Sequence, residues 1–169
     1  MPTPIGHSLT TLGVTELSGM NKIKGVVFLL IVGVFPDIDL LLDKISYLKN
    51  IGFYHQGITH TFLAAVIFSL FVFLFSRDMK LSLLSLVVYS LHVFLDLFMI
   101  DTHPPIGFRP FWPFYTALIN IPVLPGVDKS SLHSILTFKT VRTICWETSF
   151  FSYIYITILG VKIWTGKKD

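Results

Sequence analysis

The chain has 169 residues, 53% of them hydrophobic and only 14% charged, with a mean hydropathy of +0.72. A soluble domain carries about 25% charged residues, so the composition excludes an ordinary soluble globule and indicates one integral membrane domain over 1–169. The net charge of +3 is dispersed, which argues against a nucleic-acid partner, and the single Cys145 excludes an intramolecular disulfide or a multi-cysteine zinc site.

In chain order, residues 1–20 lack the basic start and compact apolar core of a cleavable signal peptide. The run "GHSLTTLGVTELSG" is instead rich in small residues that suit packing inside a bundle, and predicts a helix over 5–20. The second helix, 24–42, contains "GVVFLLIVGVF", then Pro36, Asp37 and Asp39, with a bend expected at the proline. Helices over 59–76 and 80–100 follow, the latter close to the roughly 20 residues that a span requires. Residues 101–147 hold six of the nine prolines, and "PPIGFRPFWPF" excludes a regular helix there. A last helix is expected over 148–164. The fold class is therefore all-α: a polytopic membrane bundle of four to five helices with a long Pro-rich extramembrane loop.

Lys22 and Lys24, Arg77 and Lys80, and Lys162, Lys167 and Lys168 fall on one side of this topology. The positive-inside rule makes that side cytoplasmic. A prokaryotic inner membrane is the expected location, with loops 43–59 and 101–147 outside.

The ionisable residues then converge at the outer level. Asp37 and Asp39 end the second helix, His55 and His60 precede the third, and His92 and Asp96 share a face of the fourth at i,i+4. Asp101 and His103 lie just beyond. If the chain turns near Met20–Lys24, His7 and Asp37 each lie about 15 residues from the turn, roughly 22 Å at 1.5 Å per residue, and become level. Ionisable groups within spans are rare and face the bundle interior. Imidazole and carboxylate without thiolate suit zinc foremost, and manganese or iron as well. More than four candidate ligands fit one or two ions, and two ions close together are an arrangement used in phosphoester hydrolysis.

Plainer readings apply to the same residues. The aspartates could be solvated at a helix end, His60 could begin a helix beside Thr59, His92 and Asp96 could be a packing pair, and His7 a surface residue. His133 and Glu147 read as interfacial. "FRPFWPF" reads as an aromatic interface belt, in which Arg109 is a candidate contact for a lipid phosphate.

An early His, "PDID", "HQGITH" and "HVFLD" resemble the YdjM-like family, described as LexA-regulated, membrane-bound metal-dependent hydrolases and distantly similar to zinc-dependent bacterial phospholipases C. The resemblance covers roughly residues 5–115. It implies metal-dependent hydrolysis of a phosphoester or phospholipid-like substrate, with ligands His7, Asp37, Asp39, His60, His92 and Asp96, and His55 beside them. Asp101 and His103 are possible additions, and Asp37 and His60 are the residues assigned to catalysis. Two departures stand out. Gln56 occupies the place of an arginine in the family's second motif, and no late His-x-x-x-Glu pair is present, since His133 and Glu147 are fourteen apart. A metal transporter and a non-catalytic structural or stress-response membrane protein are the alternatives.

Overall fold

The computed structural model describes residues 3–42, 45, 56–101, 106–126 and 137–166. Helix α1 runs Pro4–Ser18. Its proline stands at the first turn, where no amide hydrogen is needed, and Gly19 ends it in the left-handed conformation at φ 64°. That turn reverses the chain into α2, Ile23–Val34. Pro36 then tightens the backbone into a 3₁₀ turn, Phe35–Ile38, before α3, Asp39–Leu42. Helix α4, Phe62–Ser76, is capped by the Thr61 hydroxyl, which accepts from Ala64 N. Arg77 turns at φ 54° into α5, Met79–Phe98, whose cap is Asp78.

The last helix, α6, runs Phe138–Trp164. The apolar run alone suggested a start at 148. The helix begins earlier because the Thr137 hydroxyl accepts from Thr140 N, and within its first turns Thr140, Thr143 and Glu147 are buried, Glu147 against the start of α1.

The fold class holds: among the described residues there are five principal helices and, in the connecting segment, only isolated bridges. The stretches Ile23–Leu42, Met79–Phe98 and Phe138–Trp164 are long and apolar enough to cross a membrane, and α4 is a shorter apolar helix. The interior mixes an apolar cluster around Leu29, Val32, Val88 and Val93 with many buried polar side chains, while large apolar side chains stand exposed on the outside. Ile67, Leu70, Phe71 and Phe75 of α4 are exposed, whereas Ser69 and Ser82 exchange hydroxyl-to-carbonyl hydrogen bonds between α4 and α5 at 2.9 and 2.8 Å. Hydrogen-bonded small polar residues join helices where burying apolar surface gains little over lipid. Helices α1 and α6 lie parallel, joined at one end by Thr3 and Glu147 and at the other by Lys162 Nζ and Glu16 Oε2 at 3.2 Å.

The segment after α5 folds back over the bundle end. Ile121 N donates to Leu97 O at 2.7 Å and Phe62 N to Pro110 O at 2.9 Å. Phe108 is thereby buried against His60, with ring centroids 6.0 Å apart.

Candidate metal centre

Four side chains from three parts of the chain meet under that cover. Asp37 comes from the 3₁₀ turn, His60 from the second 3₁₀ turn, Ile58–His60, and His92 and Asp96 from one face of α5. One ligand atom from each lies within 4.8 Å of all the others. His60 Nε2 stands 3.3 Å from Asp96 Oδ2 and 3.6 Å from Asp37 Oδ1; His92 Nε2 stands 3.8 and 3.7 Å from the same oxygens. The side chains of His60, His92 and Asp96 are at most 1% exposed, and that of Asp37 is 11% exposed.

Each imidazole is fixed from its far side. His92 Nδ1 lies 2.8 Å from Gly33 O, and His60 Nδ1 lies 2.8 Å from Asp39 Oδ2. A carbonyl and a carboxylate accept, so both Nδ1 atoms carry the proton, and each neutral ring then presents a lone pair at Nε2. The two Nε2 atoms face each other at 3.3 Å. Two lone pairs and two carboxylates pointed at one another repel unless a cation or a proton stands among them. Asp37 Oδ1 and both oxygens of Asp96 are also buried without a hydrogen-bond partner, which is costly in a protein interior. The donor set fits a divalent metal, and all four residues could hold it.

Around these ligands stands a supporting layer. Asp39 is buried, and its Oδ2 also accepts from the Thr59 hydroxyl at 2.6 Å and Gln56 N at 3.0 Å. Gln56 contributes that amide from a left-handed conformation, φ 59°. Its backbone is thus engaged where the family motif has arginine. Thr59 O in turn accepts from Tyr89 at 2.8 Å. Burial pulls the His60 imidazole down, but Asp37, Asp39 and Asp96 outweigh it and hold the ring well above the ordinary imidazole range. A metal must therefore displace a proton to use His60.

His7 joins from α1. Its Nε2 lies 3.5 Å from Asp96 Oδ1, and its ring stacks on His92 with centroids 3.7 Å apart. Neither ring nitrogen has a hydrogen-bond partner. Asp101 lies elsewhere, its Oδ2 accepting from Gly107 N at 2.9 Å, and Arg109 is exposed on the covering segment. The expectations for His55 and His103 lie outside the described residues.

Glu147 corrects the sequence reading: it is fully buried rather than interfacial. Its Oε1 accepts from Thr3 N at 2.6 Å and the Thr3 hydroxyl at 2.8 Å, so α6 anchors the start of α1 one turn from His7. Gly6 allows this approach, since a Cβ there would overlap Glu147 Oε1. The available signal was its isolation, as the only charged residue between Arg142 and Lys162. The Gly33 carbonyl and Thr59 carried no such signal.

Fold and site together define a polytopic helical membrane protein with an enclosed His/Asp cluster able to hold a metal ion. The family model described as YdjM inner membrane protein matches residues 1–166, and the chain belongs to that family. Neither the curated proteins nor the solved structures contain a match.

Proposed function

We propose that the protein is a membrane-embedded, metal-dependent hydrolase of phosphoesters, with phospholipid-like molecules as the substrate class and zinc as the metal, and that its site faces the outer side of the inner membrane. The observation that carries this reading is the pair of imidazole Nε2 atoms facing each other at 3.3 Å between two carboxylates. Asp37, His60, His92 and Asp96 would hold the ion. His7, on the second oxygen of Asp96, is placed to take part in a second one. The metal would polarise a phosphoryl oxygen and lower the pKa of a water.

The chain's own residues supply the rest. Asp37 is the least buried member of the cluster; its Oδ1 faces the two imidazoles, so substrate and water meet the rest of its carboxylate first, and its other oxygen would be the acceptor for the proton of the attacking water. Asp39 and the Gly33 carbonyl hold the two rings so that neither turns away. Phe108 excludes bulk water from His60.

The test is metal content by mass spectrometry on detergent-purified protein, beside hydrolysis of phosphodiesters and phospholipids. Wild type should carry one or two ions per chain, and both metal and turnover should fall in Asp37→Ala and His92→Ala. A well-folded wild type that takes up neither zinc nor manganese would remove the proposal. The near-complete burial of three ligands favours one other reading, a metal that only secures the fold. In that case a chelator would unfold the protein and no ester would turn over.

A further inference from the structure

Beside the metal centre lies a cavity of about 360 Å³. Phe35, Thr59, Ile67, Phe71, Tyr89 and Trp112 are among its walls. Phe35 stands two residues before Asp37, and Thr59 directly precedes His60, so the inner wall belongs to the turns that carry two of the ligands. Its outer rim is the membrane-facing flank of α4, where Ile67 is 46% and Phe71 55% exposed.

The hydroxyls on this wall are already engaged within the protein. Thr59 donates to Asp39, Tyr89 donates to Thr59 O, and Thr61 donates to Ile58 O while accepting from Ala64 N. Water held in a cavity needs two to four polar partners, and every hydroxyl proton on this wall is already donated within the protein. The space takes roughly a dozen groups the size of a water molecule, or about as many methylenes. An apolar cavity at the exposed apolar flank of α4, with its hydroxyl protons engaged, takes hydrocarbon where that flank meets lipid.

We propose that the cavity receives one acyl chain of a membrane phospholipid and so brings the headgroup phosphoester beside Asp37 and His60. The second half of this inference rests on the hydrolase reading; the first does not. Chain binding also selects for substrate, because a phosphoester without a chain lacks the contact that holds it at the site.

The experiment uses the full chain in phospholipid vesicles containing phosphatidylcholine with a photoactivatable diazirine on one acyl chain. Cross-linked residues are mapped by mass spectrometry. Label should concentrate between Ile58 and Phe71 and at Tyr89, above the level on the lipid-facing residues of α6. Ala64→Phe, which fills the cavity, should reduce that label about fivefold relative to α6, and Ile67→Trp, at the tolerant rim, should reduce it in the same direction. Retained metal content reports folding of each variant. A second arm compares hydrolysis of a long-chain phospholipid with that of bis(p-nitrophenyl) phosphate. The ratio of kcat/KM for the two should fall about tenfold in Ala64→Phe. Equal labelling of α4 and α6, unchanged by either variant, would overturn the chain site and leave only ordinary boundary lipid. Labelling as expected with no hydrolysis of either ester would sink the hydrolase reading and keep the chain site.

Discussion

His60 is held at both ring nitrogens, and the two contacts have different consequences. Asp96 shares the metal pocket with Nε2, whereas Asp39 grips Nδ1 from outside it. Asp96→Asn should abolish metal binding, while Asp39→Asn should weaken zinc affinity by about 10–100-fold, the usual effect of losing a ligand's orienting partner; titration of the apo protein with zinc separates the two. The raised His60 ring sets the sign of a pH effect. Protonated imidazole competes with metal, so zinc affinity should fall as pH decreases, and the fall should begin above the ordinary imidazole value of about 6.5. An affinity flat between pH 6 and 8 would contradict this. Glu147→Ala leaves the buried Thr3 amide unpaired and should destabilise the protein by about 1–3 kcal/mol, while Glu147→Gln keeps an acceptor; thermal melts of both variants give the comparison. The pair His92 and Asp96 was legible because an i,i+4 spacing in an apolar span fixes a common face. The different jobs of Asp37 and Asp39 were not, since a 3₁₀ turn after Pro36 decides which carboxylate enters the cluster. Glu147 was illegible for another reason: its partner is 144 residues away.

The helices meet through small and polar contacts, and here the sequence was more informative. The glycines and threonines of α1 mark it as an inner helix, and the structure buries Gly6, His7, Thr11, Gly13 and Thr15 along it. Gly33 of α2 packs closely on α1, where a Cβ would overlap Thr11 Oγ1 and press on Val88 of α5. Because Gly33 O also holds His92, Gly33→Leu should part these helices and release metal together with stability, measured as a lower Tm and lower metal content. The Ser69–Ser82 exchange is independent of the site. A double-mutant cycle with alanine should return a coupling of about 0.6 kcal/mol, the average for hydrogen bonds between membrane helices, with no change in metal content. The early start of α6 escaped sequence reading because its first turns interrupt the apolar run with Lys139, Thr140, Arg142, Thr143 and Glu147.

At the scale of the whole molecule, the site ties together helices that lipid alone would leave loosely associated. Turns at Gly19 and Arg77 return the chain to the opposite end, so that His7, Asp37, His60, Asp96 and Glu147 occupy one end of the bundle. Metal bound there stabilises every helix that contributes a ligand. At a free zinc concentration 100 times its Kd, the folded state should gain about 2.7 kcal/mol, visible as a rise in Tm that a chelator reverses and that Asp96→Asn does not show.

The parallel pairing of α1 with α6 has a consequence for the order of synthesis. His7 is made 140 residues before the glutamate that anchors its helix. At roughly 5–20 residues per second, α1 waits on the order of ten seconds before α6 can dock. During that interval Asp37, His60, His92 and Asp96 are already available, so a nascent chain could take up a metal ion at this cluster before the last helix closes against the first.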